Sequence, residues 1–327
     1  MNNPLISIII VNYNGKKWLK KLFDSLLSQT YKNFEIIFVD NNSNDGSVDY
    51  IKDNYQLVKI VRSKNLGYGH ACNMGAQSAK GDFLMFFNED MYVEKDFIFK
   101  FITQYNLIQN KSVVGTIGCA IVDYEEQNLS GNLGYGSTID FIAAPVINFD
   151  KDKIFHNTGC PLFITRSVFK KVGGFCENFF LYSEDVDLCW RLNLMGYKHF
   201  FLNDTYLYHY GGGVIGTFSP EKLSYYVKGE FNCIMNNYSL LFLPFALSYF
   251  LFFYISLSIG YVLTGKFKYA KNITFTILNE AIYNLRAILA FRNSVQAKRV
   301  ISDWQLIHKI NFMPQRLKKF LISNIKL

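Results

Sequence analysis

The chain has 327 residues, enough for one large α/β domain with a further segment and too many for a small scaffold that depends on disulfides. Hydrophobic residues make up 50% of the chain and charged residues 18%, which excludes a disordered chain and a coiled coil. The net charge of +8 comes from the C-terminal part. Residues 264–327 contain 12 Lys or Arg and 2 acidic residues, whereas residues 1–263 carry a net charge of −2.

The N-terminus and the cysteines bear on the cellular compartment. An apolar run begins at Leu5 without a cationic region before it or a small-residue cleavage site after it, so no secretory signal is indicated. We therefore expect the N-terminal part to stay in the cytosol. The six cysteines form no Cys-x-x-Cys pair, which predicts buried free thiols rather than a zinc site or a disulfide framework.

Short apolar runs alternate with helical spacing along the first 110 or so residues. Strands are predicted at 5–11, 34–39, 57–61 and 82–87, and helices at 16–29, 68–80 and 94–109. This alternation predicts a doubly wound, mostly parallel sheet with helices on both faces, and ligands of such sheets bind at the carboxyl ends of the strands. Polar clusters follow the predicted strands at 12–14, 40–42 and 88–90.

The pattern is less regular farther along the chain. Strands are predicted near 113–119, 161–165 and 198–203, with a helix at 184–195. The glycine-rich stretch 130–137 is where an acceptor-binding insertion could lie. Residues 206–213 end in three glycines and are predicted as a flexible polar loop.

The composition changes after Asn237. Residues 239–263 contain no charged side chain, and 25 residues are long enough to cross about 30 Å of hydrocarbon as a helix. A single span would carry the basic tail out of the cytosol, against the preference of basic segments for the inside. We therefore predict a two-helix hairpin or helices in the membrane interface, with tail lysines on anionic head groups. The alternative is a buried helix of a soluble fold.

A first acidic motif, Asn88-Glu89-Asp90, follows the apolar strand 83–87. A carboxylate at this edge of a sheet would suit Mg²⁺ or Mn²⁺ carrying a diphosphate, because these ions take oxygen ligands and keep positions for phosphate. The alternative is a strand-to-helix turn in which Asp90 caps the helix.

A second acidic motif, Ser183-Glu184-Asp185-Val186-Asp187, begins the predicted helix at 184. Ser183 would cap this helix, and the acids would meet the positive end of its dipole. Three acids in four residues exceed what capping requires. The functional alternative is a general base that takes a proton from an acceptor hydroxyl.

Three further residues allow two interpretations each. Asp40 could accept a hydrogen bond from a nucleotide base or ribose, or it could close an Asx turn. His209 could bind a metal ion or lie at the surface. Asn73, with Gly75, could pack near a phosphate-binding loop or belong to the core.

The order and spacing of these motifs resemble the family 2 glycosyltransferases, which are inverting enzymes of the GT-A fold. The resemblance covers residues 5 to about 237 and implies that 1–237 is the catalytic domain and 238–327 a membrane-associating helical region with a basic tail. It is carried by residues 7–14, 39–47, 65–69, 73–75, 81–82, 88–90, 184–191, 196–197 and His209.

The resemblance also implies a role for individual residues. Asp90 stands at the metal-binding acid of the Asp-x-Asp position, His209 joins the Mg²⁺ or Mn²⁺ ion or the diphosphate, and Asp185 is the general base. Asp40 recognises the nucleotide base, and Tyr13 lies close to it. The other donor-binding residues implied by the resemblance are Asn12, Asn14, Asn65, Asn73, Asn88, Glu184 and Arg191.

The chain departs from the family pattern at two positions. Asn88 replaces the first acid of Asp-x-Asp, and Glu89 stands where proline is frequent in the similar rhamnosyltransferase branch. The Asn-x-Asp form and the string at 39–47 are most similar to the rhamnosyltransferase-like members. The Gln-x-x-Arg-Trp signature of processive synthases is absent, which favours a single transfer per encounter.

The resemblance thus implies a metal-assisted single displacement from a nucleotide-sugar donor, dTDP-rhamnose or a UDP-sugar, to a hydroxyl of a lipid-linked or growing surface glycan. The expected location is the cytoplasmic face of the cell membrane, on anionic lipids. The alternative is a non-catalytic, membrane-bound member that binds a nucleotide sugar or organises a polysaccharide assembly complex.

Other classes fit the sequence less well. A sugar nucleotidyltransferase needs a glycine-rich loop with a basic residue after the first strand, and a dehydrogenase needs Gly-x-Gly-x-x-Gly there; residues 12–15 provide neither. Nucleic-acid binding is disfavoured because the basic residues follow the apolar segment. An exposed aromatic surface near the C-terminus could form a homodimer as readily as it could contact a membrane.

Overall fold

The computed structural model describes residues 3–123, 137–147, 150–210 and 219–312. The strands in these residues form one sheet of eight and one of three. They are β1 (Ile6–Asn12), β2 (Phe34–Asp40), β3 (Lys59–Arg62), β4 (Phe83–Asn88), β5 (Met91–Val93), β6 (Val114–Asp123), β7 (Ser137–Asp140), β8 (Pro145–Ile147), β9 (Leu162–Thr165), β10 (Lys198–His209) and β11 (Ile310–Asn311).

The described helices follow the same chain-order numbering. They are α1 (Lys16–Leu27), α2 (Ser47–Asn54), α3 (Tyr68–Ser78), α4 (Phe97–Leu107), α5 (Arg166–Val172), α6 (Glu184–Leu194), α7 (Pro220–Asn237), α8 (Leu243–Leu263), α9 (Phe267–Asn279), α10 (Leu285–Ala297) and α11 (Asp303–Leu306). A π-helical turn at Glu280–Asn284 joins α9 to α10.

The large sheet has the strand order β3-β2-β1-β4-β9-β6-β10-β5. The first four strands are parallel, β9 runs antiparallel to β4 and β6, and β10 runs parallel to β6 and antiparallel to β5. The predicted doubly wound, mostly parallel sheet is confirmed.

Alternation along β1 builds a core on each face of the sheet. Ile8 and Ile10 pack with residues of α1 and α4, whereas Ile9 and Val11 pack with residues of α3 and α6. Helix α3 approaches β1 closely at Gly75, where a Cβ would lie 2.4 Å from Cγ2 of Ile9. Gly75 therefore belongs to the core.

Three local predictions differ from the structure. Residues 206–209 were predicted in a loop but extend β10, because after a register shift they pair with β6 on one side and β5 on the other. Residues 88–90 lead into the short strand β5 rather than into a helix, so Asp90 caps no helix. Ser183 has a φ of 67° and makes no side-chain cap for α6, which excludes its predicted capping role.

Some predictions concern residues outside those described. These are most of the glycine-rich stretch, 130–136, the glycines at 211–213, and the part of the basic tail beyond 312. The six cysteines lie within the described residues, and all are buried and free, as predicted.

Helices α7 to α10 pack together on the main domain. One hydrophobic cluster contains residues on both sides of position 237, including Trp190 of α6, Ile234 of α7, Phe250 of α8 and Ile288 of α10. Helices α8 and α9 form a hairpin with a short turn at 264–266. Among the described residues, α8 alone is long and apolar enough to cross a membrane by length and composition, and 28% of its most apolar window is buried.

Candidate functional site

The main sheet brings three polar strand ends together. Strand β1 lies between β2 and β4, with Asn12 beside Asp40 and Val11 beside Asn88 in the two registers. A cavity of about 370 Å³ opens at this edge, as expected for a doubly wound sheet. Its walls are formed by Val11, Tyr13, Asn41, Asn65, Gly67, Tyr68, Asn88, Glu89, Asp90, Phe180, Leu181, Tyr182, His209 and Lys222.

The loop after β2 is held by side-chain hydrogen bonds to the end of β1. Asn12 is fully buried, and its Nδ2 donates to Oγ of Ser43 at 2.9 Å and to Oγ of Ser47 at 3.0 Å. Asp40 is 4% exposed and accepts from the backbone N–H of Ser43, three residues on, so its carboxylate closes the loop after β2. Both residues lie behind the cavity wall and shape the loop.

The cavity wall itself contains two amides near Tyr13. Asn41 donates from its Nδ2 to Oδ1 of Asn65 at 3.0 Å, and both residues line the cavity with Tyr13. An aromatic ring beside paired amides could take a nucleotide base by stacking and hydrogen bonding. Asn41 was not predicted, although it follows Asp40 directly.

Asp90 and His209 meet on another side of the cavity. The Oδ2 of Asp90 lies 3.1 Å from Nε2 of His209, because β5 pairs with the end of β10. The Oδ1 of Asp90 is buried and accepts no hydrogen bond from the described residues, and the same is true of Oδ1 of Asn88. Oxygens without a donor beside an imidazole fit a hard divalent cation whose remaining ligands come from phosphate and water.

The protein itself would supply few ligands to a metal ion at this site. Within the described residues, no group of three or more His, Cys, Asp or Glu side chains is arranged to hold a metal ion. This agrees with the replacement of the first motif acid by Asn88.

Glu89 lies in the same turn with its side chain inside the fold. It is 8% exposed, and burial, followed by the neighbouring carboxylate of Asp90, raises its pKa to about 8. The turn before α1 accommodates it through Gly15, where a Cβ would lie 2.1 Å from Cγ of Glu89.

The acids of α6 lie behind the tyrosines of the cavity wall. The Oδ2 of Asp185 accepts from the backbone N–H of Gly159 at 2.7 Å, and the hydroxyl of Tyr68, a wall residue, donates to the carbonyl of Gly159 at 3.4 Å. Oε2 of Glu184 is buried without a hydrogen-bond partner among the described residues. Burial, followed by Asp185, raises the pKa of Glu184 to about 8.

The backbone before α6 is held in an uncommon conformation. Tyr182 and Ser183 both have positive φ, 68° and 67°, and α7 approaches them at Gly229, where a Cβ would lie 2.6 Å from Oγ of Ser183. Non-glycine residues with positive φ are uncommon, and they cluster at active sites and ligand-binding positions. The arrangement orients Tyr182 towards the cavity and begins α6 at Glu184.

Three predicted donor-binding residues lie elsewhere. Asn14 accepts through Oδ1 from the backbone of Asn44, and Asn73 donates to and accepts from the backbone of Phe175. Arg191 forms a buried ion pair with Asp187, Nε to Oδ2 at 2.7 Å. None of the three lines the cavity, and neither do Asn12, Asp40 and Glu184, so six of the nine predicted donor-binding residues lie outside its lining.

Lys222 and the aromatic residues near it were not predicted from the sequence. Lys222 lies in the first turn of α7 and lines the cavity, with its Nζ 5.6 Å from the ring centre of Tyr182. Tyr182 stacks on Tyr226, and Phe180 stacks on Tyr225. The Tyr225-Tyr226 pair is the sequence signal that could have placed α7 beside the site.

Residues 7–173, just over half of the chain, match the glycosyl transferase family 2. The chain belongs to this family. It is 30% identical over 198 residues to an uncharacterized glycosyltransferase of Rickettsia typhi, and 28% identical over 225 residues to the O-antigen biosynthesis protein RfbC of Myxococcus xanthus. These alignments cover 58% and 63% of this chain, and 58% and 17% of the two relatives, so the chain spans less than two thirds of either.

Solved structures confirm the predicted GT-A-type fold of this family 2 member. S. aureus TarS 1–349 in complex with UDP superposes with a TM-score of 0.58 at 17% identity. The aligned region covers 90% of this chain and 87% of the TarS chain. GalNAc-T7 with UDP, GalNAc and Mn²⁺ has a TM-score of 0.56 at 18% identity and covers 69% of this chain and 47% of its own. The assignment to the rhamnosyltransferase branch stays a prediction.

Proposed function

We propose that this family 2 member is an inverting glycosyltransferase that binds the diphosphate of a nucleotide-sugar donor between Asp90, His209 and Lys222. The observation that carries this proposal is the cavity at the carboxyl ends of β1 and β4, which the Asp90–His209 pair and a lysine from α7 all line. A nucleoside would occupy the side formed by Tyr13 and the amides of Asn41 and Asn65. Solved structures of similar fold are complexes with UDP, UDP-GlcNAc or GDP-Man, which supports a nucleotide-sugar ligand.

Asp90 and His209 would hold Mg²⁺ or Mn²⁺, and the ion would supply neutralisation of the charge that develops on the departing diphosphate. Oδ1 of Asp90, which accepts no hydrogen bond from the described residues, supports this assignment, as do two solved structures of similar fold that contain Mn²⁺. Lys222 of α7 adds a cation to the lining of the same cavity. Its ammonium group would stabilise the same negative charge.

Asp185 is the proposed general base. Its carboxylate is oriented by the backbone N–H groups of Gly159 and Val186, at 2.7 and 2.8 Å. The acceptor hydroxyl would give its proton to Asp185 while its oxygen forms a bond to the anomeric carbon. The bond from that carbon to the diphosphate breaks on the opposite face, the diphosphate leaves with the electron pair, and the configuration is inverted.

The donor sugar and the product are finer parts of the same proposal. We propose dTDP-rhamnose or a UDP-sugar as donor and a lipid-linked or growing glycan of the cell envelope as acceptor. The similarity to an O-antigen biosynthesis protein supports a role in surface polysaccharide formation. The Asn-x-Asp motif at 88–90 supports the rhamnosyl alternative.

We further propose that the chain works at the cytoplasmic face of the cell membrane. Apolar side chains of α8 and α9 are exposed, among them Phe245 and Phe252 at 67% and 71%. Lysines at 266, 268 and 271 lie beside this apolar surface and suit anionic head groups.

A non-catalytic member that only binds a nucleotide sugar is the second candidate. Two observations favour it. Asn88 replaces the first acid of the Asp-x-Asp motif, and Asp185 lies behind Tyr68 rather than in the cavity wall. Slow hydrolysis of the bound donor by water would separate the two, because a binding protein releases the intact nucleotide sugar.

The test of donor binding is thermal unfolding of the full chain in detergent with UDP, dTDP and their sugars, with and without Mn²⁺. We expect one nucleotide to raise the Tm by a few degrees only when Mn²⁺ is present, and we expect Asp90→Ala to lose this effect. Asp53→Ala, an exposed acid away from the cavity, should behave as wild type. Wild type that no nucleotide stabilises would refute the proposed site.

A further inference from the structure

Helices α8 and α9 leave an open apolar groove between them. Its volume is about 810 Å³, and its lining extends along α8 from Leu251 to Leu263. At 1.5 Å per residue this corresponds to a length of about 18 Å. Side chains in the groove are exposed, with Ile259 at 55% and Leu278 at 52%, although burial of such groups would be favourable.

Among the described residues that line the groove, the one cation is Lys271, near the turn of the hairpin. Lys266, Lys268 and Lys271 lie at the turn of the hairpin and in the first turns of α9, and Lys271 lines the groove itself. The other lining residues are apolar, apart from Ser258, Thr274 and the hydroxyl of Tyr254. An apolar channel with lysines at one end is complementary to a long hydrocarbon chain that carries a phosphate at its head.

The cationic end contacts the first turn of α7, which also contributes to the lining of the donor cavity. Lys268 forms an ion pair with Glu221 of α7, Nζ to Oε1 at 2.7 Å. Phe267, which precedes Lys268, lines the groove, and Lys222, which follows Glu221, lines the donor cavity. A single ion pair therefore connects the cationic end of the groove to the wall of the donor cavity.

We propose that this groove holds the hydrocarbon chain of a lipid-linked acceptor whose phosphate lies among the hairpin lysines, an inference that rests on the proposed function. The chain would run along α8 from the turn towards Leu251, and the glycan attached to the phosphate would extend past Glu221 into the donor cavity. This geometry selects a lipid-bound acceptor over a free sugar.

The arrangement distinguishes a groove for one lipid from general adsorption to a bilayer. Phe252 lies on α8 outside the groove and is 71% exposed, whereas Ile259 lies inside it. Adsorption to a bilayer would use both side chains. Binding of a single chain would use Ile259 and not Phe252.

The experiment uses farnesyl phosphate as probe and the full chain in a short-chain detergent, with binding measured by calorimetry. We expect Ile259→Asp to weaken farnesyl phosphate binding by about tenfold and Lys271→Glu to weaken it as well, whereas Phe252→Asp binds as wild type. Farnesol should bind more weakly than farnesyl phosphate. Inorganic phosphate alone should not bind, because the hydrocarbon chain supplies most of the contact.

Three outcomes would overturn the proposal. Equal loss for Ile259→Asp and Phe252→Asp, with parallel loss on phosphatidylglycerol vesicles, would assign the surface to the bilayer. A change from dimer to monomer in Ile259→Asp without farnesyl phosphate binding by wild type would assign it to a second copy. If nucleotide with Mn²⁺ stabilises the wild type but farnesyl phosphate does not bind, the lipid site in the groove is refuted and the proposed function is not. If the wild type neither is stabilised by nucleotide with Mn²⁺ nor binds farnesyl phosphate, the proposed function is refuted as well.

Discussion

His209 of β10 and Asp90 of the β4–β5 turn lie 3.1 Å apart, Nε2 to Oδ2, although 119 positions separate them in the sequence. The antiparallel pairing of β5 with β10 creates this contact, and the backbone N–H of Tyr210 also donates to the carbonyl of Asp90. The pair is therefore a product of the sheet edge, and its chemistry depends on the short strand β5.

The first prediction concerns His209. His209→Gln should bind Mn²⁺ more weakly in the presence of nucleotide, because His209 is one of the two side chains that we propose hold the ion. We expect the Mn²⁺ concentration for half-maximal stabilisation by the nucleotide to rise about tenfold. Thermal unfolding across a Mn²⁺ titration measures it. His308→Gln, at an exposed histidine, is the control, and an unchanged titration for His209→Gln would contradict the role.

The second prediction concerns the proposed base. Asp185→Asn preserves shape and removes the proton acceptor, so we expect kcat to fall by roughly 10²-fold or more with little change in KM for the donor. Glycosyl transfer to an acceptor measures both constants. A variant that keeps near-normal kcat would refute the base assignment.

Glu184→Gln is the matched comparison for that experiment. Glu184 precedes Asp185, is buried, and accepts no hydrogen bond at Oε2 from the described residues. If Asp185 is the base, Glu184→Gln should keep most of the kcat. A larger loss for Glu184→Gln than for Asp185→Asn would transfer the role to Glu184.

The third prediction is a pH dependence of stability. Burial and Asp185 raise the pKa of Glu184 from 4.5 to about 8. Between these values the folded chain holds a proton that the unfolded chain has lost, so the free energy of unfolding should fall as the pH rises from about 5 to about 8. Glu184→Gln should make this decline shallower, and Glu89, whose pKa is also raised to about 8, should maintain the remainder.

The measurement is thermal unfolding across that pH range without metal or nucleotide. Asp53→Asn, at an exposed position, should retain the decline of the wild type. Identical curves for wild type and Glu184→Gln would show that this carboxyl does not couple folding to protons.

The sequence predicted the sheet because its strands are buried on both faces. Runs such as Ile8-Ile9-Ile10 have few other stable placements, and the helices that cover them show clear periodicity. The sequence also located Asp90, His209, Tyr13, Asn65 and Asn88, all of which line the cavity.

The remaining parts of the site depend on contacts between distant segments. Lys222 enters the cavity because α7 packs beside Tyr182, and the Tyr225-Tyr226 pair, the local signal in α7, does not itself name Phe180 and Tyr182 as its partners. Arg191 lies within α6, the helix that begins with the acidic motif, yet it pairs with Asp187 in the interior, where α6 packs against α7. Spacing alone does not distinguish a buried ion pair from a ligand contact.

The last prediction tests that distinction at Arg191. Asp187 pairs with Arg191 at 2.7 Å and also accepts from Asn236 and Asn237 of α7, both at 3.0 Å. Asp187→Ala would leave a buried guanidinium without its carboxylate partner. We therefore expect the free energy of unfolding, measured in urea, to fall by about 3–5 kcal/mol. The double variant Asp187→Leu with Arg191→Met should recover part of this and keep nucleotide binding. Loss of nucleotide binding in a folded double variant would restore Arg191 as a donor-binding residue.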